Sequence, residues 1–157
     1  MNAQLEPLTD NALNLVPLSE RDPGDVTLVP AEEWNGPADG GLLLSVDVEP
    51  ESRFASADVI AIEFPAFNDG RGLSLAVLLR TRFGFTGELR AVGHLNLDIL
   101  HYLARCGFDN AVLDDVSVVE AGRHHRTQAN LLAPYSDNYQ ASVVEPEPAY
   151  RRVRRGA

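Results

Sequence analysis

The residues best placed by type and spacing to do chemistry are Phe67-Asn68-Asp69-Gly70-Arg71-Gly72. A guanidinium is a permanent cation with a planar fork of donors, suited to carboxylates and oxyanions. Flanking glycines let the backbone approach a ligand closely. The free N–H groups of a helix starting here would add to the grip on an anion. A plain reading stands beside this one: Asp69 caps the helix, and the glycines only make the turn. Asp69, Gly70, Arg71 and Gly72 are thus candidate ligand-binding residues.

A second set is His94, Asp98, His101 and Arg105, at steps of four, three and four along one helical stripe. His94 falls where a strand ends, and histidine transfers protons near neutrality, so His94 and Asp98 join the candidates. His94 and His101 lie two turns apart, about 10 Å of helical rise, too far to share one ion. No metal is expected. Glu120 and His124 are also four apart, but Arg123 and Arg126 beside them disfavour a divalent cation. Cys106 lies on the apolar side of its helix and reads as an inert thiol. No serine occupies a nucleophile elbow, and Gly70-Arg71-Gly72 lacks the third glycine of a dinucleotide fingerprint. Asp114-Asp115 most simply caps a following helix. These residues assign neither a catalytic group nor a cofactor.

The elements that must position them are those of a small α/β domain. Leu42 to Val46 and Val59 to Phe64 are continuous apolar runs, expected of parallel strands covered on both faces. Val26 to Pro30 reads as a shorter strand. Gly72 to Phe83 and Leu95 to Cys106 read as helices. They end in Arg82-Phe83-Gly84-Phe85 and Arg105-Cys106-Gly107-Phe108, a glycine stop followed by an apolar residue that folds back on the last turn. Strands follow each stop, Glu88 to Val92 and Asn110 to Leu113. Successive β/α units imply right-handed crossovers and a parallel sheet. A closed eight-stranded barrel needs roughly 250 residues. At 157 residues, the expectation is an open parallel sheet or half-barrel of four to five strands. A half-barrel leaves an edge that a second copy would cover, making a homodimer. Val116 to Ala129 reads as a last helix and Tyr139 to Val143 as a closing strand. Residues 1–25 read as a flexible arm, 26–143 as the domain, and 144–157 as a flexible tail.

Composition narrows the function classes. Hydrophobic residues make up 45% of the chain, enough for an ordinary core. The net charge of −10 argues against sequence-independent nucleic-acid binding. Residues 1–70 hold 14 acids and 2 arginines, and residues 71–157 hold 9 acids and 11 arginines. All 13 basic residues are arginine, which excludes a Schiff base, a lysine general base and a Walker-type phosphate loop. One cysteine allows no intrachain disulfide. No run approaches the ~20 apolar residues of a membrane span. The first residues lack the basic and apolar regions of a signal peptide, so a cytoplasmic protein is expected.

Taken together, Phe64-Pro-Ala-Phe-Asn-Asp-Gly-Arg-Gly-Leu-Ser74, Phe85-Thr-Gly-Glu-Leu-Arg-Ala-Val-Gly93 and Arg105-Cys-Gly-Phe-Asp109 resemble one bacterial family, the domain of unknown function numbered 934. The resemblance runs from about Val26 to Val143, including Leu28-Val-Pro30, Trp34 and Tyr139-Gln140. Family members often carry an oxidoreductase label without a demonstrated activity. Their genes tend to sit beside those of assimilatory sulfite reductase. The resemblance therefore implies a role in sulfate and sulfite reduction, with sulfite reductase components as partners. It implies three alternatives: an accessory protein holding an oxyanion or a partner at the Asp-Gly-Arg-Gly loop, an enzyme acting on a small sulfur oxyanion or nucleotide, or a homodimeric scaffold. After Gly93 the family usually has an aspartate, then an arginine, an aspartate and a glutamine. Here those positions hold His94, Leu97, Asp98 and Ile99.

Overall fold

A run such as Val59-Ile-Ala-Ile-Glu-Phe64 buries both alternating sets of side chains, so it is stable only inside a sheet covered on both faces. In the computed structural model of the chain, which describes residues 15–113, 142–144 and 146, this run is an inner strand of a six-stranded sheet. The strands are β1 (Leu15–Pro17), β2 (Leu28–Pro30), β3 (Gly41–Ser45), β4 (Val59–Phe64), β5 (Glu88–Gly93) and β6 (Asn110–Val112). Their spatial order is β1-β6-β5-β4-β3-β2. Strands β2 to β6 are parallel neighbours in sequence order, and β1 closes the far edge antiparallel to β6.

Three expectations are corrected. Among the described residues the sheet has six strands, because the parallel set of five gains β1 from residues expected to lie in a loose arm. Val16 and Leu18 are buried there, and Leu18 N and Ser19 N both donate to Asp109 O, so the ordered body begins before residue 26. The units are also not uniformly β/α. The β2–β3 and β3–β4 connections carry only 3₁₀ turns, Pro37–Asp39 and Ser52–Ser56. Only the last two crossovers hold α-helices, α1 (Gly70–Thr81) and α2 (Leu100–Arg105).

Helix α1 starts two residues earlier than its apolar pattern, because Asp69 caps it. The second helical segment opens late. Asn96 Oδ1 accepts from Asp98 N and Ile99 N, which winds Leu97–Ile99 into a 3₁₀ turn before α2. Both glycine stops are present, with φ of 67° at Gly84 and 99° at Gly107, where an L side chain would be strained. Phe85 N donates to Leu79 O at 2.9 Å, and Phe108 N to Leu103 O at 3.0 Å; both rings are buried.

Leu42, Leu44, Ile60, Ile62, Leu89 and Ala91 form the sheet side of the main core, against Leu75, Ala76 and Leu79 of α1. Leu43, Ala61, Val92 and Val112 make a smaller cluster on the opposite face. At the amino ends of the strands, Arg80 ties the two glycine stops together. It donates to the carbonyls of Phe85, Gly87 and Gly107 and to Asp109 Oδ2, each at 3.1 Å or less. The helix expected over 116–129, most of the strand expected over 139–143, and the tail beyond 146 lie outside the described residues. Val143 N donates to Arg105 O at 3.2 Å, and Val143–Val144 form a bend.

Candidate functional site

A doubly wound sheet binds ligands where its strand order reverses. The parallel part of this sheet has no reversal, so the carboxyl ends of the strands are the general place to look. The connection from β4 to α1 stands there, and Phe64 is its root. A β-carbon on Gly72 would lie 2.5 Å from Cε1 and Cζ of the Phe64 ring, so only glycine lets α1 sit this close to β4. Gly70, by contrast, has open space where its side chain would be.

Asp69 and Arg71 are bound to each other. Asp69 Oδ1 accepts from Arg71 N at 3.1 Å, the capping bond. The same carboxylate meets the guanidinium as a fork, Nε to Oδ1 at 3.0 Å and Nη2 to Oδ2 at 2.7 Å. The remaining terminal nitrogen, Nη1, donates to Asp47, in the turn that follows β3, the strand beside β4. The side-chain hydrogen bond from Arg71 holds the Asp69 carboxyl below the usual carboxylate range, and Asp69 raises Arg71 in turn. One guanidinium thus faces two carboxylates, and the cluster carries one net negative charge. It is open to solvent, with the Arg71 side chain 59% and the Asp47 side chain 72% exposed. Phe67, on the same loop, is 50% exposed, which is unusual for an aromatic ring.

His94 and Asp98 belong to the next connection, after β5. The His94 backbone N–H donates to Phe64 O at 2.9 Å, which brings it to the root of the loop. Its side chain and that of Asp98 are exposed. The side-chain bonds and ion pairs of Asp69 and Arg71 run to each other and to Asp47, not to His94 or Asp98. Leu97 is half-buried and Ile99 buried, so these two apolar side chains serve the core. His101 stacks against Tyr102 at 5.4 Å between ring centroids. Cys106 is half-buried, and burial raises its thiol, which keeps it protonated at neutrality. Glu120, His124, Asp114 and Asp115 lie outside the described residues.

Reading the residues alone missed Asp47. Its only signal was its place: it is the first acid after β3, and β3 and β4 are neighbours if the strands keep sequence order. Also missed were two ionic groups at the amino ends, Arg80–Asp109 and Glu88–Arg90, whose signal was a charged residue within an otherwise apolar element.

Among the described residues, no three His, Cys, Asp or Glu side chains are grouped to hold a metal ion. No helix among them is long and apolar enough to cross a membrane. Neither a curated protein nor a solved structure matches the chain. A family does match, over residues 42–150, a span that includes the β4–α1 loop and both glycine stops. The chain belongs to the family described as "Bacterial protein of unknown function (DUF934)".

Proposed function

We propose that this chain is an accessory protein of assimilatory sulfate and sulfite reduction that docks a protein partner through the loop between β4 and α1. The observation that carries this choice is the commitment of Arg71 to Asp47 and Asp69. A small oxyanion approaching Arg71 meets a cluster already net negative, with Glu49 and Glu51 exposed on the same β3–β4 connection. A partner surface gains from the same features. Phe67 offers an exposed ring, and aromatic rings surrounded by polar groups are typical anchors of protein interfaces. The Asp47–Arg71–Asp69 chain links two neighbouring loops and holds them in one arrangement, which lowers the ordering cost of binding. The pathway and the partner, sulfite reductase components, come from the family resemblance.

Thermal unfolding with sulfite or sulfate separates partner docking from oxyanion binding, because only a ligand of the folded state raises the midpoint. The expected result is a midpoint no higher than in chloride of equal ionic strength. A sulfite-specific rise that Arg71→Ala abolishes would replace this reading with the oxyanion site.

A further inference from the structure

Around the β4–α1 loop the arginines are already engaged. Arg71 uses all three nitrogens of its guanidinium on Asp47 and Asp69. Arg53, on the β3–β4 connection, uses its three on Glu51 at 2.6 Å, Trp34 O at 2.8 Å and Ala31 O at 3.2 Å. Its guanidinium also lies over the Phe54 ring, 4.9 Å from the centroid. The carboxylates of this end are placed differently. Glu49 and Asp98 are exposed, and no ion pair among the described residues holds either one. Glu49 is two residues from Asp47, so their Cα atoms are at most about 7 Å apart. Asp98 belongs to the β5–α2 connection, which the bond from His94 N to Phe64 O ties to the root of the loop.

Phe67, half exposed, therefore stands on a surface whose uncompensated charge among the described residues is negative. Charge of that sign selects what can dock. A second copy of this chain would bring the same sign to the same place, and a nucleic acid would bring phosphates; both are repelled. A surface of the opposite sign is steered in and held in register. We propose that the partner surface docking on the β4–α1 loop belongs to a protein and is basic: an apolar pocket for Phe67, rimmed by lysine or arginine side chains that meet Asp47, Glu49 and Asp98. This rests on the docking reading above and adds the chemistry of the partner.

The test is the association rate of the full chain with purified sulfite reductase components at two ionic strengths, about 0.01 M and about 0.1 M. Between them the Debye length falls from about 30 Å to about 10 Å. Two charge reversals are compared, Glu49→Arg beside the loop and Asp58→Arg. Asp58 is exposed immediately before β4, about 20 Å of strand from the loop, so both variants change the net charge equally. Glu49→Arg should slow association by about threefold or more at the lower ionic strength, with Asp58→Arg within about twofold of the wild type. The gap between them should narrow at the higher one. Equal slowing by both variants, which overall charge alone would give, would overturn the basic rim, as would an unchanged or faster rate with Glu49→Arg. If Phe67→Ser still weakens binding in that case, docking at the loop stands and only the basic partner falls. If Phe67→Ser has no effect either, the docking reading falls with it.

Discussion

Gly72 on α1 and Phe64 at the end of β4 are packed so tightly that a single added methyl group would lie 2.5 Å from the ring. The Phe64 ring is fully buried and cannot swing into solvent, so the helix would have to move. Gly72→Ala should cost about 1–3 kcal/mol, the usual range for overpacking a core. Phe64→Leu shortens the obstacle, so the double variant should be more stable than the sum of the single losses predicts. Urea unfolding of the four proteins measures this, and additive losses would show that the two residues do not press on each other.

Arg80 fills three backbone carbonyls and a buried carboxylate from one fork. Burial pulls its basicity down, while the Asp109 carboxylate pushes it back up, so the charge is retained at neutrality. Arg80→Met leaves Asp109 without its closest cation and should destabilise by about 3 kcal/mol or more in chemical denaturation. Arg80→Lys keeps the charge but offers a point, not a fork, and should recover less than half of the loss. Full recovery by lysine would mean that charge alone matters there.

Asp69 is held below the ordinary carboxylate range by Arg71, so its pairing stabilises the folded state above its unfolded value. That contribution fades as pH falls through the lower, folded value. Asp69→Asn keeps a capping oxygen and removes the charge. The variant should melt below the wild type at pH 7, and the gap should close as pH drops below the carboxylate range. Because the Arg71 side of the pair is exposed, the gap should also shrink with added salt. A gap that persists at low pH would assign the effect to capping geometry alone.

Cys106, half-buried and raised by that burial, should react with a thiol reagent at pH 7 more slowly than a free cysteine. In denaturing urea the difference should vanish. Fast reaction in the native state would remove the inert-thiol reading.

Much of the sheet was legible because continuous apolar runs and glycine stops are local signals. The apolar run Val59–Phe64 coincides with β4 residue for residue, and Gly84 and Gly107 take the positive φ that a glycine stop demands. Strand β1 was not legible. Leu15-Val16-Pro17 is too short to show a period, and only its pairing with β6 gives it a partner. The start of α2 was obscured because Asn96 caps from inside the apolar pattern. At the candidate site the loop and its glycines were visible. The partner of Arg71 was half-hidden: Asp69 lies two residues away, but Asp47 lies 24 away and meets it only through the pairing of β3 with β4.

In the parent bacterium, deletion of this gene should prevent growth on sulfate and on sulfite, with rescue by sulfide and by cysteine. Normal growth on all four, in a genome without a second copy, would break the link to sulfur assimilation.

Docking of a partner at the β4–α1 loop is tested most directly by measuring affinity between the full chain and purified sulfite reductase components. Phe67 is exposed and outside the core, so Phe67→Ser should leave the thermal midpoint unchanged and weaken binding by about tenfold or more, as for an aromatic anchor. Arg71→Ala should weaken it less, through loss of the link between the two loops. Saturable binding that Phe67→Ser leaves untouched, or no binding at all, would contradict the docking surface.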